Sequence, residues 1–170
     1  MDVHQFREAN GNTEAVVNLT VPKTLFNWID NGENYEFEGV VDVRVFINGN
    51  IAAQDVFHVR ESVVDRPGPR ERQVMMVQQS RFVLTKGSAV FSAAITDLAS
   101  NEVHKVTKNV IIRTIDDSYL TTSDLLFCTF LKSERLMDEN SINRNGYMIT
   151  PNPSSVFRLE KPMLYAYSEV

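Results

Sequence analysis

The stretch "YEFEGVVDVRVFING", from Tyr35 to Gly49, constrains the fold more than any other part of the chain. Tyr35, Phe37, Val41, Val43, Val45 and Ile47 fall on one side of an extended strand, and Glu36, Glu38, Asp42 and Arg44 on the other. A helix would scatter these apolar residues around its circumference, so the period of two selects a strand. Asn48-Gly49 then favours positive φ and a tight reversal, which predicts a hairpin into "NIAAQDVFHV".

The same alternation recurs along the chain. In "AVVNLTVP", Ala15, Val17, Leu19 and Val21 share a face, and in "SAVFSAAITDL" Ala89, Phe91, Ala93 and Ile95 do. "VHQF" reads as a short strand joined through Asn10-Gly11. "VMMVQQSRFVL" has poor period but suitable length, and "VHKVTKNVIIRTI" follows the turn "ASNE". "ESVVDRPGPRERQ" is a charged loop, because Pro67-Gly68-Pro69 interrupts ladder pairing. Helical pattern is confined to one turn in "KTLFNWID" and a short helix or loop at "KSERLMDENS". Strands separated by turns, without long helices, predict an all-β, antiparallel sandwich or barrel, and the charged strand faces favour the immunoglobulin-like sandwich with a wet outer surface.

The chemistry in the sequence is sparse. Of 170 residues, 43% are hydrophobic and 23% charged, which suits a packed core. Net charge is −5 with both signs dispersed, so neither a basic stripe for nucleic acid nor a cationic patch for an anionic membrane is present. No apolar run reaches transmembrane length. The amino terminus "MDVHQFREANGNTE" lacks a basic start and an apolar h-region, so no secretion signal is expected in this chain.

Cys128 is the only cysteine, which excludes an internal disulfide, and in "LLFCTFL" it reads as a small buried hydrophobe. His4, His58 and His104 fall on separate strands without a ligand-spaced neighbour, and no phosphate loop or nucleophile elbow occurs. Asp116-Asp117 and Asp124 lack the spaced donor series of a Ca²⁺ loop and read as a solvated turn. The chain is therefore expected to be no enzyme, with no cofactor, no metal and no catalytic residue. Asn18-Leu19-Thr20 matches a glycosylation sequon. Trp28, with Phe26 and Tyr35, is the candidate aromatic platform for a glycan or partner; the favoured reading is instead a core plug at one end of a sandwich, with Trp28 buried among Leu25, Phe26 and Ile29.

Four segments in order are similar to the extracytoplasmic β-sandwich region of bacterial GWxTD-domain proteins: "DVHQFREANGNTEAVVNLTVP", "NYEFEGVVDVRVFINGN", "LTKGSAVFSAAITDLASNEV", and "LTTSDLLFCTFL" with "NGYMITPNPSSVF" and "MLYAYSEV". In the last series Ser123-Asp124, Asn145-Gly146, Pro151-Asn152-Pro153 and Tyr165 to Glu169 follow the family's order. The Gly-Trp-x-Thr-Asp signature itself is absent, and Val90-Phe91 stand where the family usually reads Gly-x-Tyr. The resemblance implies a periplasmic or surface-associated setting within a multidomain parent, and no defined activity. It also divides the chain into a sandwich over 1–118 and a C-terminal β segment over 119–170 that opens a second sandwich. A lone terminal strand needs a partner for its backbone, so Tyr165, Tyr167 and Glu169 form a candidate strand-edge interface, to a protein partner, to the remainder of a parent chain, or to a second copy. The expected function is a non-catalytic structural or protein-interaction module, with a carbohydrate-binding module as the alternative.

Overall fold

The computed structural model describes residues 1–8, 12–115, 121–133, 142–152 and 163–170. The expected turn at Asn10-Gly11, the pair Asp116-Asp117 and most of "KSERLMDENS" lie outside the described residues. The chain is almost entirely β, with antiparallel sheets. Its strands are β1 (Asp2–Arg7), β2 (Thr13–Pro22), β3 (Ile29–Asp30), β4 (Tyr35–Ile47), β5 (Asn50–Val63), β6 (Met75–Leu84), β7 (Gly87–Asp97), β8 (Val103–Ile112), β9 (Leu126–Lys132), β10 (Ile142–Arg144), β11 (Tyr147–Pro151) and β12 (Tyr165–Tyr167). Single helical turns occupy Lys23–Leu25 and Pro69–Arg72. The first is the turn expected in "KTLFNWID".

By contact the chain separates into two compact units, each discontinuous in sequence. One holds Met1–Thr20, Val77–Gly87 and Ile112–Val170; the other holds Val21–Met76 and Ser88–Ile111. The boundary expected between 118 and 119 falls within the segment Ile112–Val170 of the first unit.

The first unit is a sandwich of two sheets, ordered β1-β2-β6 and β10-β11-β9-β12. Phe6 and Val16 from one sheet and Leu126, Cys128, Ile149 and Tyr167 from the other form one buried cluster. Burying side chains of this size stabilises by about 1.5–3 kcal/mol each relative to exposure. Polar groups close the same unit. Asp124 sits beside the edge of β1, where its backbone N–H donates to the Gln5 carbonyl at 2.8 Å and its carboxylate accepts the Gln5 N–H at 2.8 Å. One aspartate thus substitutes for a neighbouring strand, and an edge otherwise open to pairing is capped.

A second polar cluster joins strands far apart in sequence. The Arg144 guanidinium, mostly buried, donates to both Glu14 and Glu169. It lies 4.0 Å from the centre of the Phe6 ring. Burial works against the Arg144 charge, but Glu169 and Glu14 outweigh it and hold its pKa above the ordinary arginine value. The Tyr167 hydroxyl donates to Glu169 at 2.9 Å, and burial with that carboxylate pushes its pKa up to about 12. Removing one partner from such a buried set leaves an unpaired charge, at a cost of about 3–5 kcal/mol.

The second unit carries the five-stranded sheet β5-β4-β7-β8, with β3 pairing the start of β4. The alternation read from the sequence is realised: Phe37, Val41, Val43 and Val45 are buried on one face of β4. On β7, Ala89, Phe91, Ala93 and Ile95 are buried too. Their register sets large against small, with Val45 opposite Phe91 and Val43 opposite Ala93. The other face carries half-buried polar groups in pairs, Arg44 with Asp42 and Glu36 with the exposed Arg60 of β5. Asn48 and Gly49 both take positive φ, 52° and 79°, and turn β4 into β5 as expected.

Candidate functional site

The segment between β2 and β4, with the start of β4, brings together the three aromatic residues singled out from sequence. Gly39 lies mid-strand in β4, and the Phe26 ring occupies the volume its missing side chain leaves open. Phe26 stacks on Phe37 with centroids 4.6 Å apart, and Trp28 meets Phe37 edge-on at 4.7 Å. Such aromatic pairs add about 0.5–1.5 kcal/mol beyond the area they bury.

Hydrogen bonds hold this segment in place. Asn27 Nδ2 donates to Asp97 Oδ2 at 2.6 Å, at the end of β7. Asp97 is 1% exposed, and its carboxylate also accepts from Ser100 Oγ at 2.6 Å and Ser100 N–H at 3.2 Å. Burial opposes its charge, but the donors of Ser100, Asn27 and the Ala99 backbone hold the carboxyl below its usual value. Ile29 and Asp30 then pair with Glu36 and Tyr35. Lys23 N–H donates to the Val74 carbonyl at 3.2 Å, and Lys23 forms an ion pair with Glu61. The helical turn after Pro67 is held by Arg72 Nε donating to the Pro67 carbonyl at 3.1 Å.

These contacts enclose a pocket of about 340 Å³ lined by Thr24, Phe26, Asn27, Trp28, Tyr35, Arg66, Pro67 and Arg72. Phe26 is buried, whereas Trp28 and Tyr35 are half-buried. The three rings form walls and rim of a hollow, not a flat exposed platform. The Trp28 Nε1–H is shielded from solvent and has no hydrogen-bond partner. Tyr35 bonds to Asp30, whose carboxyl is held low chiefly by the Gly32 backbone N–H and then by the Tyr35 hydroxyl. Arg66, Arg72, Asn27 and Thr24 were not singled out from sequence. Their signal was an arginine on each side of Pro67-Gly68-Pro69, legible only as a charged loop.

The other expected site residues are elsewhere. Tyr165 and Tyr167 pair with Cys128 and Leu126, and β12 ends its sheet beside β9. The Tyr167 side chain is buried, and Glu169 binds Arg144 and Asn145. The Glu169 N–H donates to Ser123 Oγ at 2.8 Å, and its carbonyl accepts the Ser123 N–H at 2.8 Å. His4 lies on β1, 3.4 Å from Asp2, while His104 on β8 is 3.3 Å from Glu102. His58 is exposed on β5. Among the described residues no group of three or more His, Cys, Asp or Glu gathers as a metal site, and no helix is long and apolar enough to cross a membrane.

Cys128 is fully buried, and burial pushes its thiol up to about 11. Asn18, the sequon residue, is also fully buried, its Oδ1 accepting from Gln79 Nε2 at 2.8 Å. A glycan has no room there in the folded chain. Comparison with protein-family descriptions, curated proteins and solved structures finds no match for the chain.

Proposed function

We propose that this chain is a non-catalytic structural or protein-interaction module, an immunoglobulin-like β-sandwich of an extracytoplasmic envelope protein of the GWxTD-domain kind. The observation that carries the reading is where the charged side chains go. Arg144, Glu14 and Glu169 join strands to one another, as do Asp124, Gln5 and Arg113. A catalytic group needs a reactive lone pair or proton facing a cavity, whereas these groups bond to each other. The module's interaction surface is the β12 edge, where Ala166 is exposed between Tyr165 and Tyr167 and β12 pairs with β9 alone among the described strands. The compartment and the multidomain parent rest on the sequence resemblance.

Sedimentation velocity over a wide concentration range tests the interaction, with Ala166→Lys as the edge-blocking variant. Self-association that the lysine abolishes supports strand addition by a second copy. Identical monomeric behaviour of both proteins removes the homo-oligomer from the reading.

A second reading, a carbohydrate-binding module, is favoured by the pocket that gathers Phe26, Trp28 and Tyr35.

A further inference from the structure

We infer that the pocket formed by Trp28, Tyr35, Arg66, Arg72, Asn27 and Thr24 binds an acidic sugar, a saccharide carrying a carboxylate. The inference rests on the carbohydrate-binding reading and deepens it by naming the ligand class. Its first support is charge. The chain carries a net −5, yet the pocket lining holds two guanidinium groups and no carboxylate. Several arginines outside the pocket have acidic partners: Arg44 has Asp42, Arg60 has Glu36, Arg113 has Asp124, and Arg144 has Glu14 and Glu169. Among the described residues Arg66, Arg70 and Arg72 form no ion pair, and Arg66, after the Gly32 N–H and the Tyr35 hydroxyl, helps to hold down the pKa of Asp30, the carboxylate bonded to Tyr35. The bond from Arg72 Nε to the Pro67 carbonyl orients its guanidinium and leaves both Nη groups for another acceptor. A planar arginine fork matches a carboxylate with two parallel hydrogen bonds.

The second support is independent of charge. Trp28 and Tyr35 both stand half-buried in the pocket lining. Asn27, Thr24 and Tyr35 add amide and hydroxyl groups that suit sugar hydroxyls, and the indole and phenol faces suit the apolar C–H face of a pyranose. A volume of about 340 Å³ holds a small saccharide, at the lower end of the roughly 300–1,000 Å³ of ligand sites.

Isothermal titration calorimetry on the full chain tests this with digalacturonate, its neutral counterpart galactobiose, and inorganic phosphate as competitor. Digalacturonate is expected to bind about tenfold or more tightly than galactobiose, and to weaken as salt is raised. Arg66→Gln should weaken it by about tenfold while leaving the thermal transition in place, because Arg66 is exposed. Equal binding of the neutral sugar would overturn the acidic preference and leave the carbohydrate reading standing. Displacement by phosphate at similar concentration would reduce the pocket to a general anion site and overturn the inference. Binding of neither sugar would remove both readings.

Discussion

Gly39 is where a single missing side chain shapes the pocket. A Cβ built there would lie 2.9 Å from the Thr96 carbonyl and would overlap the Phe26 ring. A ring over a strand glycine restores the packing that glycine alone forfeits. Gly39→Ala should therefore displace Phe26 and cost about 1–3 kcal/mol, as overpacking does. Urea unfolding measures the loss, and the Trp28 emission should shift, because Phe26 and Trp28 share Phe37 as a neighbour. An unchanged midpoint and spectrum would show that the Phe26 position does not depend on Gly39. This pairing was invisible in the sequence: Gly39 interrupts the apolar alternation of its strand, and nothing local says which distant ring fills the gap. For Trp28, local composition suggested a buried plug, and the half-buried indole with its unpaired N–H reflects tertiary placement instead.

At the scale of elements, legibility followed local physics. The strands with clean period-two patterns, β4 and β7, and the Asn48-Gly49 turn were readable because each depends on residues within a few positions. The β5 pattern is less regular because only Val59 of that edge strand is buried, so burial imposes little on its sequence. The turn from β7 to β8 carries the sharpest pH prediction. The Asp97 pKa is lower folded than free, so the unfolded chain binds more protons in acid. Its stabilisation is fully present above the unfolded value near 3.8 and is lost as pH falls through the lower folded value. Asp97→Asn should remove about 1–3 kcal/mol at neutral pH and flatten the acid limb of the stability profile. Denaturant midpoints between neutral pH and strong acid check this; a mutant that tracks the parent through that range would contradict it.

Across the whole molecule, the partition of strands was the part the sequence could not show. Reading along the chain favours a sequential boundary near 118, because local patterns contain no information on which strands meet across a hundred residues. The contacts that define the first unit are of that long-range kind. Asp124 pairs with Gln5, Arg144 with Glu14, and Leu126, Cys128, Ile149 and Tyr167 share a core with Phe6 and Val16. The all-β class needed only local patterns, whereas this pairing needed the fold. The direct test is hydrogen exchange on the chain truncated to residues 1–118, compared with the full chain. If the C-terminal strands complete the core around Phe6 and Val16, amides of β1 and of the β2 segment paired to it lose protection in the truncated chain. If those amides stay as protected as in the full chain, residues 1–118 fold independently and the shared core is contradicted.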